Sequence, residues 1–216
     1  MKNLLYKEFK LAAHPTTYLF LILCTMMLIP NYPGYVAFMY VCLSMFFIFL
    51  GGRENKDIYY TALLPVRKRD IVKARCLMIA TIELVQIALA APMAVLANHL
   101  YHDAGNLAGI DLNVALFGSV FLFFAVFNIT FLPIFYRSAY KVGIALLYGG
   151  IAILIYYIAA EMLVWMPSPV STFLDSLNPD DMIRQLPILF SGMLIWVVTT
   201  ILAYQKAAAN FEKVDL

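Results

Sequence analysis

A single carboxylate set deep in an apolar run is the first residue in this sequence that could do chemistry. Glu83 lies within the run 74–98, eight residues past Arg75. On a helix rising 1.5 Å per residue that is roughly 12 Å inside the charged edge. Gln86 follows about one turn later on the same face. Placing an ionisable group in lipid costs about 2.5–3.5 kcal/mol on insertion scales, so such a residue marks a partner or a pathway. Glu83 and Gln86 together could line a polar translocation route. Alternatively Glu83 is protonated or hydrogen-bonded to a neighbouring helix and fixes packing. Asn128, in the run 112–135, is a further route candidate, although bridging two helices explains it more simply.

Other chemistry is sparse. His99 and His102 with Asp103 stand at helical spacing beside a loop and could in principle hold a metal, but solvated loop residues are the simpler reading and no metal site is expected. The sequence has no Gly-rich phosphate loop ending in Lys-Ser or Lys-Thr, no HExxH and no paired-carboxylate helix motif. Nucleotide hydrolysis in the P-loop manner is therefore not expected of this chain. An intramembrane protease would need catalytic groups within spans, and His14, His99 and His102 all fall at span ends or outside. Glu161 falls near the outer end of an apolar run, where its carboxylate is expected to reach the interface.

The elements that must position these residues follow from composition. Of 216 residues, 63 % are hydrophobic and 13 % charged, against roughly 45–50 % and about 25 % in soluble domains. The apolar residues come in runs of about twenty, the length of a helix that crosses a hydrocarbon layer of ~30 Å, and the alternation of a strand barrel is missing. The fold class is all-α: a polytopic membrane protein of a single domain with six transmembrane helices, at about 16–30, 34–52, 74–98, 112–135, 142–166 and 184–205. "PNYPGY" reads as a tight turn joining the first two spans into a hairpin. Pro92 and Pro133 sit inside spans, where they should kink the helices and free a carbonyl each. Cys24, Cys42 and Cys76 are expected as free thiols. No removable leader is read at the N-terminus.

Charge fixes the expected orientation. With 1–15, 53–73, 136–141 and 206–216 inside, fourteen of the fifteen Lys and Arg residues lie there or at the span ends, leaving only Arg184 outside, a nearly complete positive-inside bias. A formal net charge of +2 gives no reason to expect a nucleic-acid partner. Leu4, Leu5, Phe9 and Leu11 with Lys2, Lys7 and Lys10 suggest a short helix (1–15) lying in the inner interface, its lysines toward anionic headgroups.

Seven of the fifteen basic residues crowd into 51–75. "RENKDIYYTAL" can form a turn or two of helix, Pro65 breaks it, and "VRKRDIVKAR" restarts helix into the third span. A helix-break-helix carrying Tyr59, Tyr60 and charges of both signs suits docking onto another protein.

Together with the basic amphipathic N-terminus and the short tail "YQKAAANFEKVDL", the loop "ENKDIYYTALLPVRKRDIVKAR" resembles the six-span permeases of ABC-2 type exporters, in particular short bacterial ones. The resemblance covers the whole chain. It implies that this loop carries a coupling helix seated on a cytosolic ABC ATPase subunit, with Glu54, Asp57, Tyr59, Tyr60, Arg67, Lys68, Arg69 and Asp70 at the docking position. Members often have Ser or Thr before the paired basic residues; here Arg67 stands instead, with Asp70 retained, which weakens the expected helix cap.

The resemblance further implies a second permease copy or a similar permease, and a short outer helical region at 167–183, where Ser171 could cap a helix bounded by Pro167, Pro169 and Pro179. It places the chain in the bacterial cytoplasmic membrane with both termini cytosolic. It assigns ATP and Mg to the partner ATPase, with no cofactor in this chain, and it suggests export of amphipathic or antimicrobial peptides, hydrophobic toxins or lipids. A substrate-binding membrane subunit of a vitamin importer is the alternative, of similar length but without need of the long basic loop.

Overall fold

The computed structural model describes residues 1–101 and 106–214. His102 and Asp103 of the histidine group and the last two tail residues lie outside the described residues. Every regular element among those described is a helix, as the apolar periods require.

The chain opens with α1 (Lys2–Lys7), continued by a π-helical turn (Glu8–Ala12). His14 then ends this helix and caps the next: its Nδ1 accepts the Thr16 backbone N–H at 3.3 Å, with Pro15 at the first helical position of α2 (Pro15–Ile22). The segment Lys2–Ala12 meets Pro15–Leu28 at 80°, the corner expected between a surface helix and a span.

The first span is not the continuous α-helix expected at 16–30. After Ile22 the chain tightens into a 3₁₀ segment, Leu23–Leu28, where the Thr25 hydroxyl donates to the Ile22 carbonyl at 2.9 Å. At 2.0 Å rise per residue against 1.5 Å, the two pieces together reach roughly 24 Å. Asn31, at φ 56°, turns the chain into the hairpin; Asn tolerates this left-handed region through its short polar side chain.

Among the described residues, five helices are long and apolar enough to cross a membrane, six if the bent first pair is one span. The five are α3 (Gly34–Glu54), α5 (Lys68–Leu100), α6 (Val114–Tyr136), α7 (Val142–Trp165) and Pro179–Glu212, which comprises α9 (Pro179–Arg184) and α10 (Leu186–Glu212). Between them stand the short α4 (Asp57–Ala62) and α8 (Pro169–Leu174). Pro92 and Pro133 lie inside uninterrupted helices.

α6 is the central post, with α10 running along it, α7 on α6, and α5 against α10. The α6–α10 crossing rests on two glycines: a Cβ on Gly192 would collide with the carbonyl oxygen of Gly118, and a Cβ on Gly118 would stand 2.8 Å from the Ile188 carbonyl. Small residues let helix backbones touch, which is how dispersion replaces the hydrophobic effect between helices in lipid. Further along α6, Phe127, Phe131 and Phe135 stack in sequence, 5.0 Å and 6.4 Å apart, and Phe49 of α3 packs 4.4 Å from Phe135.

The cap of α8 differs from expectation. Ser168 is the cap, Ser171 is its partner three residues on, and the two form a reciprocal capping box.

Candidate functional site

Polar side chains gather at both ends of the bundle and at one point in its middle. At the end that holds both termini, α4 hangs between two irregular links. Asn55 and Lys56, the latter at φ 51°, separate it from α3, and residues 63–67 around Pro65 separate it from α5. Arg67 is the residue before α5 and makes no side-chain cap bond, in keeping with the missing Ser or Thr. The tip of this element is apolar and open. Tyr60 is 61 % exposed, Leu63 67 % and Leu64 53 %, with Tyr59 edge-on to Tyr60 at 5.8 Å and exposed Arg67 beside them. These large apolar side chains stand exposed among charges, outside the spans.

The docking set expected from the sequence therefore divides. Glu54, Tyr59, Tyr60 and Arg67 face outward. Lys68 and Arg69 are instead engaged by the chain's own C-terminal helix: Arg69 forms a two-pronged pair with Glu212 at 2.6 Å and 3.0 Å, and Lys68 donates to the Val214 carbonyl at 2.7 Å. Asp70 is half-buried in the first turn of α5, where a carboxylate favours the helix dipole.

Asp57, placed in the docking set by the sequence, turns inward onto two cations. Its Oδ2 accepts from Arg75 Nη2 at 2.5 Å and its Oδ1 meets Lys7 Nζ at 2.6 Å. Arg75 also pairs through Nε with Glu8, while Lys7 reaches Glu8 Oε1 at 3.1 Å and donates to Thr61 Oγ1 at 2.8 Å. Two cations and two anions thus close a neutral cluster joining α1, its π-helical turn, α4 and the base of α5. Arg75 is 2 % exposed and lies over the Phe49 ring at 5.4 Å. Burial alone would raise the Asp57 carboxyl; the charges of Arg75 and Lys7 outweigh it and hold it below the ordinary value. Lys7 accordingly faces the protein rather than headgroups, while Lys10 donates to the Tyr6 hydroxyl at 2.9 Å.

Sequence reasoning passed over Glu8 and Arg75 as a pair. The available signal was that Glu8 is the only acidic residue before Glu54, set among three lysines.

In the middle of the bundle Glu83 is fully buried. Its Oε2 accepts from the Trp196 indole at 2.8 Å and from Asn128 Nδ2 at 3.1 Å, and Asn128 approaches Thr200 Oγ1 at 3.4 Å. Gln86, also fully buried, donates to the Ala37 carbonyl at 3.2 Å. These three route candidates thus sit between helices of one chain: Glu83 and Asn128 tie α5, α6 and α10, and Gln86 ties α5 to α3. Paired polar groups between helices in lipid are worth about 0.6–2 kcal/mol each.

At the opposite end, side-chain amides clasp the connecting segments. Asn113 caps α6 and donates to the Leu174 carbonyl at 2.6 Å. Gln185 accepts from Ala115 N–H at 3.1 Å and donates to the Phe173 carbonyl at 2.8 Å. Glu161, near the outer end of α7, is buried against the outer loop, where it accepts the Ile110 N–H at 3.3 Å beside Gly109. Asp111 lies in the same layer, its carboxyl raised by burial against the pull of the Asn106 N–H. None of these clasps was foreseen, because amides at loop ends give no sequence pattern. Cys24, Cys42 and Cys76 are buried and unpaired with each other.

A bundle of membrane-length helices with its polar contacts gathered at two ends and at a few internal ties, and with an open apolar tip at one end, defines a multi-pass membrane protein. A family model described as "ABC-2 family transporter protein" matches residues 3–212, and the chain belongs to that family. It is a permease of an ABC transporter. No curated protein and no solved structure matches it.

Proposed function

We propose that this permease exports amphipathic peptides, hydrophobic toxins or lipids, driven by a separate ABC ATPase that seats on the tip of α4 and the following break. The observation that carries this reading is the exposed Tyr59, Tyr60, Leu63, Leu64 and Arg67 surface, mounted on a helix whose other side is braced by Asp57. The end bearing it also carries Lys2, Lys10, Arg53, Lys56, Arg137, Lys141, Lys206 and Lys213, which supports a cytosolic position by the positive-inside rule. ATP and Mg would be bound by the partner and not by this chain. The broad lipid-facing surfaces of α7 and α10 suit pairing with a second copy or a similar permease in a bacterial cytoplasmic membrane.

In this reading Glu83, Gln86 and Asn128 hold helices together, and a substrate route lies between permeases. Photo-crosslinking from Tyr60 in intact membranes tests the docking face. An adduct with an ATPase from Tyr60, and none from Tyr6 on the exposed face of α1, is the result expected. Equal adducts from both positions, or none from Tyr60, would set the reading aside.

A further inference from the structure

We infer that the four-charge cluster is a mechanical link, with Lys7 and Glu8 positioning residues that make the N-terminal helix follow α4 whenever α4 moves. The inference rests on the docking reading given above. α4 is fixed by neither of its covalent connections: one runs through left-handed Lys56 at φ 51°, the other through irregular residues around Pro65. Besides the buried Ile58, what holds it is ionic. Lys7 touches it twice, at Asp57 and at Thr61, 2.6 Å and 2.8 Å away. Glu8 reaches Arg75 on α5, and Arg75 returns to Asp57 at 2.5 Å.

The N-terminal helix in turn exposes Tyr6 and Leu11 while its one buried carboxylate, Glu8, faces the cluster. Leu4, also buried, adds an apolar contact where the helix packs on α5. Charge pairs in a poorly solvated site are stronger and more directional than surface pairs, so a displacement imposed on α4 passes across these contacts sooner than through the soft links. The helix lying at 80° to the first span is then carried with it, and so is the base of α5.

The test uses the permease purified with its ATPase, carrying spin labels at Leu11 and at Lys56, each measured against Lys206, without nucleotide and with ATP plus vanadate. In the unmodified chain both distances should shift on nucleotide. In Lys7→Met/Glu8→Gln, which leaves the neutral Asp57–Arg75 pair intact, the Lys56 shift should persist and the Leu11 shift should be lost. Thr61→Val, which removes only one of the contacts of Lys7, should show a reduced Leu11 shift, and serves if the double variant does not fold. A full Leu11 shift in these variants, or a Lys56 shift without a Leu11 shift in the unmodified chain, overturns the link alone. Absence of any Lys56 shift in the unmodified chain overturns the docking reading and the link together.

Discussion

Replacing Arg75 with Leu would leave Glu8 and Asp57 facing each other without a guanidinium between them. Breaking a buried ion pair by removing one partner typically costs about 3–5 kcal/mol, so thermal unfolding in detergent should fall sharply, whereas Arg67→Leu at the exposed tip should leave it nearly unchanged. The pH dependence has a definite sign. Asp57 is held below its ordinary value of 3.8, so its ionised form contributes stability that is fully present above that pH. The contribution is lost as the pH falls through the lowered folded value. Asp57→Asn should therefore flatten the acid limb of the stability profile below pH 3.8 and leave the neutral limb parallel to the unmodified protein. At Glu83 two substitutions should differ in effect. Glu83→Gln keeps an acceptor for Trp196 and Asn128 and should leave transport unchanged; Glu83→Ala leaves the buried indole N–H and amide unpaired, at about 1–3 kcal/mol. Loss of transport in a stable Glu83→Gln protein would return Glu83 to the route.

Among the elements, the α6–α10 crossing is the least forgiving. Gly192→Leu would drive a side chain into the backbone at Gly118, so the helices must part, and expression of folded protein should collapse. Gly150→Ala has open space before it and should be neutral or raise stability by up to about 1 kcal/mol through helix propensity; thermal melting of the two variants in the same detergent compares them directly. Much of this layer was legible in the sequence. The break at Pro65, the hairpin at Asn31 and the bridging part of Asn128 follow from local chemistry. The 3₁₀ stretch at Leu23–Leu28 does not, because its residues are as apolar as those of an ordinary span and nothing in their types selects the tighter winding. Nor could the choice of Ser168 over Ser171 as cap be read, since either serine satisfies the pattern.

For the whole molecule, hydropathy and charge bias give the all-helical bundle of membrane-length helices and the clustering of both termini with the basic loops at one end. They do not give the pairing of Lys7 with Asp57 or of Arg69 with Glu212, because those partners are 50 and 143 positions apart in sequence and meet only once the bundle has formed. This is why the basic loop looked uniformly available to a partner, while folding turns Asp57 inward and ties Lys68 and the still exposed Arg69 to the C-terminal helix, beside the open face of Tyr59, Tyr60, Leu63, Leu64 and Arg67. That face is the central claim, and copurification tests it most directly. The permease is extracted from its native membrane with its neighbouring gene products, unmodified and as Leu63→Asp/Leu64→Asp, and the associated ATP hydrolysis is measured. The account predicts that an ATPase accompanies the unmodified chain and is released by the double variant while the chain itself stays folded. Retention of the ATPase by the double variant, or its absence from the unmodified chain, would contradict the account.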